Sequence, residues 1–270
     1  MRGSDENTER RKHPSVAYPY SGAAFHAEMY EKSDRDHVAW DIETTGFGWS
    51  EEITVSGFWF PSGHATLIVN AGPHSIDAEA FEQRLSEVSG ADVSLIVADD
   101  EVALLEAMQR VVFDRFERDY DRLVAFNAES WKGGFDLPFV RTRCIRQGVE
   151  WVFDGVLFAD LWEPVKKRLN TTTTAYGASD DANSLTGSYN LLFSENDRLP
   201  MLLDDLGGHA WYHEGPYDPF EDSGSAAAHY REGDLLPVCL HNLADVHRTW
   251  ELGELVRQFV SPKDFTEKKL

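Results

Sequence analysis

Residues 37–48 read HVAWDIETTGFG. Val38, Ala39 and Trp40 form an apolar run that reads as a strand entering a core. In a strand, residues i and i+2 point to the same face, so Asp41 and Glu43 project side by side. Two adjacent carboxylates repel unless something holds them. A divalent cation with oxygen ligands is one solution. The other is a strand that simply ends in water with both acids solvated.

Outward from this stretch, EITVSGFWF (52–60) and ATLIVN (65–70) read as two more strands joined by PSGH. Three strands in series with Gly- and Pro-containing turns indicate an antiparallel meander. IDAEAFEQRLSEV (76–88) and DDEVALLEAMQRVVFDRFERD (99–119) carry apolar residues at helical spacing, the second with acids at its start, as a helix N-terminus prefers. RLVAFN (122–127) and VLFADLW (156–162) read as short buried strands, and DLPFVRTRCIRQG (136–148) as a helix stopped by Gly148. WEPVKKRL (162–169) continues as a helical stretch and 170–189 as a low-complexity loop or weak hairpin. LPMLLDDLGG (199–208) reads as a short helix, 212–226 as an acidic, Gly-rich loop, and 235–260 as the last helix. The expected organisation is a flexible arm over 1–35, one mixed α/β domain over 36–260, and a charged tail over 261–270.

The chain has 270 residues, with 25 Lys and Arg against 47 Asp and Glu, a net charge of −22. Such a surface should repel nucleic acid at low salt. The acids are spread along the whole chain, however, and only eight residues are Lys. That composition resembles the proteins of haloarchaea that accumulate salt, where the screening length falls to about 3 Å at 1 M. On this halophilic reading the charge says little about the substrate. No run approaches 18 apolar residues and the N-terminus lacks an apolar leader, so a cytoplasmic protein with no membrane partner is expected. Cys144 and Cys239 lie in apolar stretches and read as buried thiols.

Two further acids occupy conspicuous places. Asp136 follows the strand 122–127 at a helix start, and Asp245 lies inside the last helix among Leu243, Ala244, Val246 and Trp250. Four carboxylates from separate segments could converge on two divalent cations, Mg²⁺ or Mn²⁺, able to activate a water and stabilise the leaving oxygen of a phosphodiester. His241 lies one helical turn before Asp245 on the same face, where an imidazole could act as a general base.

In order and spacing, DIETTG, the N…FDLPF…R segment and HNLAD resemble the three exonuclease motifs of the DEDD 3′–5′ exonuclease superfamily. The resemblance covers roughly residues 36–258 and extends to LPMLLDDLGG, similar to a short helix before the third motif. It implies a ribonuclease H-like fold, with a central mixed sheet, an antiparallel three-strand meander and flanking helices. It also implies a metal-dependent exonuclease acting on DNA or RNA with a free 3′ end. Asp41, Glu43, Asp136 and Asp245 would be the metal ligands. Thr44, Thr45, Gly46 and Phe47 would line the 3′-terminal nucleotide, and Asn127 would help position it. His241 departs from the pattern, because it is a His at the spacing where the family places a Tyr. The insert between Asn127 and Asp136 is also longer than usual. The arrangement is most similar to the branch of family B polymerase exonucleases and predicted ribonuclease H-like proteins. The same residues leave open a non-catalytic nucleic-acid or protein-binding module, and a structure-specific endonuclease.

Overall fold

The structure is a computed structural model that describes residues 35–129, 132, 134–175, 178–194, 217–220, 224–264 and 266–270. The expected arm, the helix at 199–208 and most of the 212–226 loop lie outside these residues. The described chain is an α/β fold built on one seven-stranded mixed sheet flanked by helices.

Its centre is the opening stretch. Strand β1 (Asp36–Thr44) pairs antiparallel with β2 (Ile53–Trp59), which pairs antiparallel with β3 (His64–Asn70). This is the expected meander. On its other side β1 runs parallel to β5 (Asp121–Ala125), and β5 parallel to β6 (Leu157–Asp160). Two strands were not expected. β4 (Asp92–Ala98), DVSLIVA, follows a short helix and pairs parallel to β3. It was hidden between two helical patterns because a brief apolar run carries no period of its own. β9 (Glu267–Lys269) lies in the stretch expected as a charged tail and pairs antiparallel with β6 at the sheet edge. Arg122 binds Glu267 and Lys268 binds Glu129, so ion pairs and ladder bonds hold a strand that no apolar pattern announces. The stretch after β6 is helical as expected, α4 (Trp162–Arg168), and residues 170–189 contain the weak hairpin, β7 (Thr172–Ala175) with β8 (Ala178–Asp181), followed by the short α5 (Leu185–Tyr189).

The pleat of β1 divides the molecule. Val38, Trp40 and Ile42 face one core, filled by Leu104, Met108 and Val112 of α2 (Glu101–Arg115) and by Leu137 and Val140 of α3 (Asp136–Gln147). Ala39 faces the other core with Val55 and Leu67, covered by α1 (Ala78–Ser89), α6 (Gly224–Glu232) and the long α7 (Leu235–Phe259). Asp41 and Glu43 share the face of Ala39, so both lie beneath α7. Cys144 and Cys239 are buried free thiols in opposite cores.

One buried ion pair locks the first face. Asp100 caps α2, as an acid at a helix start should, by accepting from Ala103 N at 2.8 Å. Its neighbour Glu101 turns inward instead. It accepts from Arg143 Nε and Gln147 Nε2, both at 2.6 Å, and from Ile53 N at 2.9 Å. Thus α2, α3 and the start of β2 meet at one carboxylate.

Candidate functional site

Four of the expected acids meet where α7 crosses β1. Asp41 and Glu43 rise from β1, Asp136 is the first residue of α3, and Asp245 descends from α7. Asp136 is not a cap: Phe135 holds the cap position and no side chain caps this helix. Its carboxyl is free to join the cluster. Burial, then the charges of Asp136, Glu43 and Asp245, push Asp41 well above the usual carboxylate range. Burial and the charges of Asp245, Asp136 and Asp218 do the same to Glu43. Burial and the charge of Asp160 raise Asp136 to about 7. Each carboxylate therefore feels its neighbours, and the cluster calls for positive charge.

His241 sits against this cluster, with Nε2 at 3.8 Å from Asp245 Oδ2 and 3.9 Å from Glu43 Oε1. Its Nδ1 meets Asp218 Oδ1 at 2.8 Å, and Asp218 Oδ2 accepts from Arg248 at 2.6 Å. Arg248 also donates to Asp245 Oδ1 at 2.8 Å. Burial lowers the pKa of His241, but Asp218, Asp245 and Asp41 outweigh it and the net shift is upward. Burial raises Asp218, and its hydrogen bonds from His241 and Arg248 reverse this to a net lowering.

Asn242, next to His241, donates to Asp41 Oδ2 at 3.0 Å and also hydrogen bonds Glu43. This contact explains a glycine. Gly57 lies directly across the ladder from Asp41, and a Cβ there would sit 2.1 Å from Asn242 Oδ1. The sheet gives up a side chain at Gly57 so that the helix can reach the acids.

The segment after β1 folds back on itself. Thr44 Oγ1 donates to Gly46 O at 2.9 Å, and Thr45 Oγ1 donates to Glu51 Oε2 at 2.6 Å. Both hydroxyls shape the turn. Phe47 is 85% exposed, its ring edge-on to Phe135 at 5.0 Å, and Trp49 is 69% exposed beneath the guanidinium of Arg146. Asn127 stands in the left-handed region, φ 62°, at the end of β5. Asp160 holds that turn, accepting from Asn127 N at 2.8 Å and Glu129 N at 2.9 Å.

Asp218, Asn242, Arg248 and Asp160 were missed from sequence. Asn242 lies inside HNLAD and Arg248 just beyond it, each three residues from Asp245, a spacing that sets both beside that acid on the helix. Asp218 offered only an aromatic setting, YDPF, inside an acidic loop. The residues fit a divalent cation. One ligand atom each from Glu43, His241 and Asp245 lie within 4.8 Å of one another. Buried His241 Nε2, with no hydrogen-bond partner among the described residues, is one of these atoms. No protein-family model and no curated protein matches the sequence.

Proposed function

We propose that the chain is a metal-dependent 3′–5′ exonuclease of ribonuclease H-like fold. The observation that carries this reading is the convergence of Asp41, Glu43, Asp136 and Asp245 from three separate elements onto one partly buried point. The mixed sheet with its antiparallel meander supports the fold reading. Bound Mg²⁺ or Mn²⁺ would lower the pKa of water and neutralise charge on a phosphodiester.

The chain's own groups supply the rest. The four carboxylates would hold the cations, and Asn242 fixes Asp41 between the strand and α7. The turn at Thr44–Gly46 shapes the approach to Asp41 and Glu43. Phe47 and Trp49 offer exposed ring faces to unpaired bases, a contact that tolerates any sequence. Arg146, held over Trp49, adds a cation where a phosphate backbone would pass. Asn127 lies at the turn between β5 and Asp136.

The test uses 5′-labelled single-stranded DNA and RNA, with free or blocked 3′ ends, in Mn²⁺ or Mg²⁺ and molar KCl. Wild type should shorten free-ended strands stepwise from the 3′ end, and Asp41→Asn should not. Shortening of blocked strands would point to an endonuclease. Tight binding without shortening would point to a binding module.

A further inference from the structure

The sequence suggests His241 as a base, yet its surroundings suit a different task. The residue is 4% exposed. Nδ1 is engaged by Asp218 at 2.8 Å, and a carboxylate accepts, so Nδ1 carries the hydrogen and donates it. In the neutral ring, the form that binds a metal, Nε2 then presents a lone pair. It faces Glu43 Oε1 at 3.9 Å and Asp245 Oδ2 at 3.8 Å, too far for hydrogen bonds, and has no other partner among the described residues. Three electron-pair donors converge there. Opposed ligands of a cation with bonds of ~2.1 Å stand about 4.2 Å apart, so a set within 4.8 Å closes when each atom moves a few tenths of an ångström.

The support behind the ring has the form that a metal-bound imidazole needs. A carboxylate on the far nitrogen fixes the tautomer and ring plane and strengthens the donor. Here Arg248 in turn pins that carboxylate, and the same guanidinium holds Asp245. Three residues of one helix and one loop acid form a single brace.

We infer that His241 is a direct ligand, with Glu43 and Asp245, of one of the two cations, and that Asp218 is its positioning residue. This rests on the metal-dependent reading above and deepens it. A nitrogen ligand changes selectivity. Mg²⁺ favours all-oxygen shells, whereas an imidazole favours first-row transition ions. The site should therefore prefer Co²⁺ over Mg²⁺.

The full chain, stripped with chelator, is titrated with Co²⁺ by absorption and calorimetry and with Mg²⁺ by calorimetry. Wild type should bind Co²⁺ at least about tenfold more tightly than Mg²⁺. His241→Ala should weaken Co²⁺ by more than about tenfold and leave Mg²⁺ within about threefold, while Asp218→Asn should weaken Co²⁺ by about tenfold or more. Pulsed electron paramagnetic resonance of wild type with Mn²⁺ should show imidazole nitrogen coupling, a readout that stands even where a variant does not fold. Equal affinity for both ions with no nitrogen coupling would overturn the inference and leave the four-carboxylate exonuclease standing. Failure of wild type to bind any divalent cation would overturn both.

Discussion

Replacing Gly57 with Ala adds one methyl group at the closest approach between the sheet and α7. The new Cβ would stand 2.1 Å from Asn242 Oδ1, 3.0 Å from Leu67 Cδ2 and 3.1 Å from Val246 Cγ1. The first contact is impossible, so Asn242 must swing away or α7 must lift. Overpacking of this kind costs roughly 1–3 kcal/mol. A swing of the amide also breaks its 3.0 Å bond to Asp41, a charged acceptor, at roughly 1.5–3 kcal/mol. The two together, about 2.5–6 kcal/mol, lower the melting temperature by roughly 5–24 °C in a domain of this size. The assay is thermal unfolding of wild type, Gly57→Ala, Asn242→Ala and the double variant. If the amide is the obstacle, the glycine substitution costs much less once Asn242 is Ala, with a coupling above about 1 kcal/mol. Strictly additive losses, or a Gly57→Ala chain that melts like wild type, would refute the packing described here.

Three other outcomes follow from named contacts. Glu101→Gln leaves the Arg143 guanidinium buried without a counter-charge and should cost roughly 3–5 kcal/mol in urea unfolding, while Glu101→Leu with Arg143→Leu should recover most of it; a single variant as stable as wild type contradicts this. Asp136, raised to about 7, keeps its proton when folded between about pH 4 and 7, where the unfolded chain has lost it. That contribution is fully present below the unfolded value and lost as pH rises through 7, on the order of 4 kcal/mol. In chelator, Asp136→Asn should therefore match wild type near pH 4 and gain on it toward pH 8, and a pH-independent difference would rule the shift out. With a net charge of −22, self-repulsion should ease with screening, so the melting temperature should be higher in about 2 M KCl than in 0.1 M, and a flat or falling trend would remove the halophilic reading.

The parts of this molecule with a period or a motif could be read from sequence. The apolar run 38–40 marked β1, its period put Asp41 and Glu43 on one face, and the apolar spacing of 99–119 gave α2. Those are local signals, and local geometry decides them. What escaped depends on distant partners. Glu101 looks like any helix-start acid until Arg143 is packed beside it. Asp218 is one acid among 47, and only the approach of α7 distinguishes it. β9 consists of Glu267, Lys268 and Lys269 and becomes a strand only because β6 offers it an edge. The stretched insert before Asp136 was visible as a length, whereas its closure was not: at Gly134, φ 61°, a Cβ would fall 2.1 Å from Glu129 N.

The bond from Asn242 to Asp41 joins residues 201 positions apart in the chain. No partial assembly of the first strands and helices contains the site, because His241, Asn242 and Asp245 arrive only with α7. Closing so long a loop carries an entropic cost that the local contacts of the meander do not. While the sheet is still forming, the acids of β1 have no imidazole above them and no amide to orient them. Any chemistry of this cluster thus depends on the docking of α7, and a nascent chain still lacking its last helix has neither His241 nor Asp245 at the site.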